Sequence, residues 1–192
     1  MIEPNVSVRA SGGGIAEIQR SLEELKKMDV LVGIPEEKSS RPDEGINNAE
    51  LAFIHTNGVR RKAMREDMAD DILRHGYHKA YDMYIQAHGS PLWHSPPRPI
   101  IEPAIEADKE KIAELMGEAA KAILDGDSDR AKEYLNKAGL EGQGASQDWF
   151  TNPENGWAPN SPLTVEAKGS DKPLIDKGEL RKAITYVVRK NT

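Results

Sequence analysis

Residues 29–35 read DVLVGIP and residues 184–189 read ITYVVR, and the reading of these two stretches decides the fold. Both are apolar and rich in β-branched residues, too short for a buried helix, and Pro35 stops the first because proline cannot extend a hydrogen-bonded ladder. They stand near opposite ends of the chain. A sheet that contains both brings those ends together, and a third short strand at 5–9 is expected beside them. Most of the sequence between them has helical or turn character. The class expected is therefore α+β: a small, mostly antiparallel sheet packed by two main helices, with a helical insertion and long loops.

Working outward, Ile15, Ile18, Leu22, Leu25 and Met28 recur at three- and four-residue spacing, which predicts an amphipathic helix over 15–28. The second main helix is expected over 103–124. Pro103 opens it, Ile105, Ile112, Leu115, Met116, Ala119 and Ile123 form its apolar face, and Asp125-Gly126 ends it. A helix over 48–55 is closed by Asn57-Gly58. Another at 128–138 stops at Gly139, and the segment from Gly142 to Lys172 reads as loop with one turn at Ser161-Pro162-Leu163-Thr164. Asp176 fits a capping box ahead of a short helix. Loops 36–47 and 142–160 are long and polar, as segments that order on contact with a partner are.

Residues 61–95 form the insertion, and 1–60 with 96–192 form the core. Within the insertion Met64, Met68 and Ile72 mark one stripe, while Leu73, Tyr77, Tyr81 and Tyr84 mark another, with the change of register at Gly76. Two packed helices or one kinked helix both fit, and the stripes suit either a neighbouring subunit or a self-packed hairpin. The stretch PLWHSPPRP (91–99), with four prolines in nine residues, is extended and stiff.

The 192 residues are 30% charged and 38% hydrophobic, with a net charge of −6 and no cysteine. Disulfide scaffolds, thiolate metal sites and cysteine nucleophiles are thereby excluded. No run approaches the roughly 18 apolar residues of a membrane span, and the start lacks a signal-peptide profile. A soluble protein made in a cytoplasm is expected. The charge is uneven. Residues 177–192 hold Lys177, Arg181, Lys182, Arg189 and Lys190 against Glu179, a balance of +4 within the total of −6, so the rest of the chain carries −10. Most of the surface thus repels phosphate, unlike a nucleic-acid grip.

Asp71, His75, His78 and Asp82 fall at i, i+4, i+7 and i+11, on one face if the helix is continuous, and are of the residue types that bind zinc. The plainer reading is a solvated helix face. No HExxH, GxSxG, Walker or GxGxxG pattern occurs, so no enzymatic activity and no cofactor are expected. A metal-dependent enzyme using the His75/His78 region is the rival from a different class, and a cytoplasmic adaptor is a third reading. Trp149 and Trp157 either plug the edge of a core or anchor an interface, and Trp93 invites the same two readings. The basic residues of the last strand either meet phosphate or keep an exposed edge soluble.

Four blocks in order carry a resemblance: VLVGIP (30–35), ELAFIHTNGV (50–59), PPRPIIEPAI (96–105) and WAPNSPLTVEAKGSDKPLIDKGELRKAITYVV (157–188). Together they cover about half the chain. The order resembles the bacteriophage virion-morphogenesis and tail-completion family of minor neck and tail proteins. Trp157, Pro159, Leu163, Thr164, Lys168, Pro173, Leu174, Ile175, Asp176, Gly178, Leu180 and Ile184 follow the family order, and Arg98 between two prolines matches its RP element. Thr56-Asn57-Gly58, Lys177 and Ile100 depart from the family pattern. The resemblance implies a structural protein of the virion, assembled in the host cytoplasm as a homo-oligomeric ring at the head–tail junction. Its partners would be other neck, portal or adaptor and tail proteins, and DNA would pass through the lumen without sequence-specific binding or any membrane. Tail-terminator and head-closure roles are close alternatives. Arg98, Trp149, Trp157, Lys177, Arg181 and Arg189 are the expected contact residues. An acidic lumen would let DNA slide, with the basic 177–190 segment facing a neighbour.

Overall fold

The computed structural model describes Gly14, Ala16, Gln19, Arg20, Glu23 and residues 26–41, 45–88 and 93–190. The five described positions between 14 and 23 are helical. The apolar positions of the helix expected over 15–28 lie outside the described residues, except Met28, which belongs to the first strand instead. The strand expected at 5–9 and the side chain of Trp93 also lie outside them.

The fold is α+β. Strand β1 (Met28–Gly33) pairs antiparallel with β4 (Thr185–Lys190), so the two ends of the described core meet in one sheet. A second small antiparallel ladder, unforeseen in the sequence, joins β2 (Val59–Arg60) to β3 (Trp93–Ser95) across the base of the insertion. In the first sheet Val30 faces Val188, Leu31 faces Val187, and Val32 faces Tyr186. Alternation along a strand puts Val30, Val32, Tyr186 and Val188 on one face and Leu31 with Val187 on the other. Leu31 and Val187 are exposed, so the apolar run at 30–32 is buried on one side only.

Between the strands lie α1 (Glu36–Ser39), α2 (Asn48–Asn57), α3 (Lys62–Asp67), α4 (Ala69–His75), α5 (Tyr77–His88), α6 (Ile101–Ala107), α7 (Lys109–Leu124), α8 (Ser128–Asp148), α9 (Pro162–Lys168) and α10 (Glu179–Ala183). Among the described helices the one that covers the sheet is α8, rather than the one expected at 103–124. It contacts both β1 and β4, while α6 and α7 pack on α8. Helix α8 runs through Gly139, Gly142 and Gly144 to Asp148, overturning the stop expected at Gly139 and the loop expected from Gly142. The cause is close approach. A Cβ at Gly139 would sit 2.2 Å from Cδ2 of Tyr186, and one at Gly142 would sit 2.9 Å from both Val32 Cγ2 and Ile105 Cδ1. Ala131, Leu135, Ala138, Gly139, Gly142 and Ser146 form a buried, mostly small-residue stripe at helical spacing. Beyond the helix, two 3₁₀ turns (Trp149–Thr151 and Pro153–Asn155) lead into the last block.

Other boundaries shift for local reasons. The helix expected over 103–124 divides at Asp108, and Pro103 is the third residue of α6, still within the first turn where its missing N–H removes no helical bond. Helix α2 is closed at its start by a full capping box between Asn47 and Glu50. Ser161 caps α9 through Thr164 N–H, as expected. Asp176 caps nothing, because α10 begins at Glu179 behind Gly178, whose φ is +76°.

The main core joins Ile100, Phe150, Leu180 and Ile184 with Val32, Ile34, Leu51, Trp157, Leu174 and Ile175, which come from all four blocks and the turn after α8. Burying each such large side chain is worth about 1.5–3 kcal/mol. The insertion has its own cluster, Met64, Met68, Ala80 and Tyr84, flanked by Ile72, Tyr81 and Ile85. Met64, Met68 and Ile72 of the first stripe therefore pack with Tyr81 and Tyr84 of the second, while Leu73 and Tyr77 of the second stay exposed. Gly76, at φ +79°, separates α4 from α5, and Arg60 ties β2 to α5 through Tyr77 Oη at 3.3 Å and the ring of Tyr81 at 4.6 Å.

Candidate functional site

The sequence blocks converge around a cleft of about 680 Å³. Helix α2 supplies Leu51 and His55, and β3 with the following turn supplies His94, Ser95 and Pro96. The opposite wall is Pro159 to Ser161, then Thr164 and Lys168 from α9. The floor carries Leu174, Asp176, Lys177 and the start of α10. Leu174 is the one described non-glycine residue with positive φ, +57°. Its side chain packs in the main core, so the backbone takes a left-handed turn there and carries Asp176 and Lys177 onto the cleft wall.

Arg98 is the hub. It is only 6% exposed. Its Nε and Nη2 donate to the carbonyl of Ala158 at 3.0 and 2.9 Å, and Nη2 also donates to that of Pro159 at 3.2 Å. Its own backbone N–H donates to the carbonyl of His55 at 2.7 Å. One residue thus binds α2 to the block that begins at Trp157. Next to it, Trp157 Nε1 donates to the carbonyl of Pro99 at 2.9 Å, and the ring meets Phe150 edge-on at 5.6 Å. Trp149 is also buried, and its Nε1 has no hydrogen-bond partner. Both described tryptophans are core plugs.

The cleft is electropositive. Arg41, Arg98, Lys168 and Lys177 face it with two carboxylates, Asp176 and Glu179, and Glu179 lies 3.7 Å from Arg41. The hydrogen bonds found for Arg98 among the described residues go to neutral carbonyls, so its buried charge is solvated by dipoles alone. Burial lowers the pKa of Arg98. Burial, and then the charge of Arg98, holds His55 below its ordinary value of 6.5, and its Nδ1 is buried without a hydrogen-bond partner. Burial also lowers Lys168, a trend opposed by Asp176 and reinforced by Arg98. Lys168 Nζ donates to the carbonyl of Lys172. The walls of this cavity thus carry four cationic side chains against two carboxylates.

The other expected site residues lie elsewhere. Asp71 and His75 are on α4 and His78 and Asp82 on α5, separated by the break at Gly76. Among the described residues no three His, Asp or Glu side chains come within reach of one metal ion. Arg181 lies 2.9 Å from Asp148 and Arg189 3.6 Å from Asp29, both in solvent-exposed ion pairs. Lys177 alone of the basic C-terminal residues faces the cleft. His55 and Lys168, which sequence reasoning did not single out as site residues, stand within two of the quoted blocks, and that position was the available signal. No helix of the described residues is long and apolar enough to cross a membrane. Compared with known protein families, curated proteins and solved structures, the chain matches none.

Proposed function

We propose that this chain is a structural, non-enzymatic subunit of a tailed-phage neck, forming a homo-oligomeric ring that joins or completes the tail and lets the genome pass. The observation that carries the reading is the convergence of the four blocks. The elements that follow the family order in sequence are the ones that hold one another in space: β1 on β4, Arg98 on Ala158 and Pro159, and Trp157 on Pro99. Blocks that hold one another in this way form one physical unit rather than scattered short motifs. The charge supports the same reading, since a chain with −10 outside its last 16 residues has the sign needed to keep DNA sliding. In the basic 177–190 segment, Arg181 of α10 and Arg189 of β4 also form exposed ion pairs within the subunit.

Negative-stain electron microscopy of the purified chain, alone and with portal and tail proteins, tests the proposal. Closed rings with a central channel are the expected result. A chain that stays monomeric under every one of these conditions refutes it, as does an assembled ring whose channel is strongly positive.

A further inference from the structure

We propose that the electropositive cleft is a socket for an acidic turn, residues 66–71, of a second copy of this chain. The proposal rests on the ring reading above. The socket has two buried or half-buried cations, Arg98 and Lys168, whose hydrogen bonds among the described residues go to backbone carbonyls, and it exposes Lys177 at its rim. A buried cation bound only by carbonyls gains most from a carboxylate arriving from outside. The complementary feature is the junction of α3 and α4. Glu66, Asp67 and Asp70 are exposed there and Asp71 is half-buried; Arg61, Lys62 and Arg65 precede the four acids and Arg74 follows them, with no cation between. Lys62 engages Glu66 at 3.0 Å, leaving the aspartates as the outward charges.

The turn is held in place. Met64 and Met68, on either side of Glu66 and Asp67, are buried against Ala80 and Tyr84. The aspartates are therefore presented from a packed base, which lowers the ordering cost of docking. Of the insertion, His94 and Ser95 at its base line the cleft of their own chain, and none of the described residues of α3, α4 or α5 does. The knob and socket are distinct surfaces, so joining them between copies is a heterologous, head-to-tail contact, the kind that closes into a ring when the rotation allows.

Light scattering after size exclusion, with full-length chains at low and high salt, tests this. Lys168→Glu with Lys177→Glu spoils the socket, and Asp67→Lys with Asp70→Lys spoils the knob. Each alone should weaken self-association by about tenfold or more and abolish its salt sensitivity. An equimolar mixture should stop at dimers, because one socket and one knob survive, and all four changes in one chain should restore assembly. If Lys168→Glu unfolds the chain, Lys177→Glu with Lys168→Gln takes its place. Assembly of either variant like the wild type, or a mixture that stays monomeric, overturns the proposal while leaving the ring reading intact. A wild-type chain that is monomeric alone also overturns it, and the ring reading then depends on particles formed with portal and tail proteins. Binding of inorganic phosphate in the cleft, with self-association untouched by both variants, would mean a small-anion site and equally overturn it.

Discussion

Replacing Gly139 by alanine should destabilise the protein, whereas the same change five residues later should not. Both glycines lie inside α8, where exchange for alanine ordinarily gains about 1 kcal/mol by restricting the unfolded chain and favouring the helix. At Gly144 a new Cβ meets nothing within 4 Å, so that gain is kept. At Gly139 it would lie 2.2, 2.7 and 2.8 Å from Cδ2, Cγ and Cε2 of Tyr186. The atoms in the way include the root of the ring, so a small rotation about the side-chain bonds does not clear them. The ring must swing, or β4 must lift from α8, and overpacking of this kind costs about 1–3 kcal/mol. Net destabilisation of up to about 2 kcal/mol is expected for Gly139→Ala and stabilisation of up to about 1 kcal/mol for Gly144→Ala. Urea titration followed by circular dichroism measures both, at one m-value. In a Tyr186→Val background the penalty at Gly139 should vanish, giving a coupling of about 2 kcal/mol in the double-mutant cycle. If Gly139→Ala is as stable as Gly144→Ala, the close approach of β4 to α8 is not what keeps the glycine there.

Three further outcomes follow from other parts of the structure. Arg98→Met removes the three hydrogen bonds to Ala158 and Pro159 and should cost about 3 kcal/mol, with Arg98→Lys recovering only part because lysine lacks the planar fork; denaturant midpoints report both. His55 is held below 6.5 by burial and by Arg98, so below that pH the unfolded chain binds more protons than the folded one. Stability should therefore be complete above pH 6.5 and fall as the pH drops below it, and His55→Gln should flatten that decline in melts run across pH 5–8. Gly76→Ala forces a side chain into φ +79° where nothing crowds its Cβ, so backbone strain alone should cost about 1–3 kcal/mol. Hydrogen exchange should then quicken in α4 and α5 and leave the β1–β4 ladder protected, as expected if the insertion's separate cluster opens on its own.

Much of the fold could be read locally. The strands at 30–33 and 185–189 declare themselves by β-branched apolar runs, the cap at Ser161 by serine followed by proline, and the break in the insertion by Gly76. These are short-range signals, set by steric limits on φ and ψ and by the few side chains able to satisfy a free backbone donor. Asp176 shows the limit of such signals. Its spacing from Glu179 suits a capping box, yet Gly178 turns into the left-handed region and the helix starts past it. The candidate site was less legible. Arg98 and Trp157 could be singled out as important, but whether each points outward to a partner or inward to a carbonyl depends on a segment some 60 residues away.

From the sequence alone came the α+β class, the pairing of two strands distant in sequence, near 29–34 and 184–189, in one sheet, the self-contained character of the insertion's apolar stripes as one of two options, and the separation of charge into a basic end and an acidic remainder. Only the tertiary structure decided that Gly139 and Gly142 continue a helix rather than end it, that Arg181 and Arg189 stand beside Asp148 and Asp29, and that four cations surround one cleft. The physical reason is common to all three. A glycine permits both a stop and a close contact, and an arginine serves equally as a surface charge or an internal clamp. Which of these it becomes is set by the surface that long-range folding brings against it.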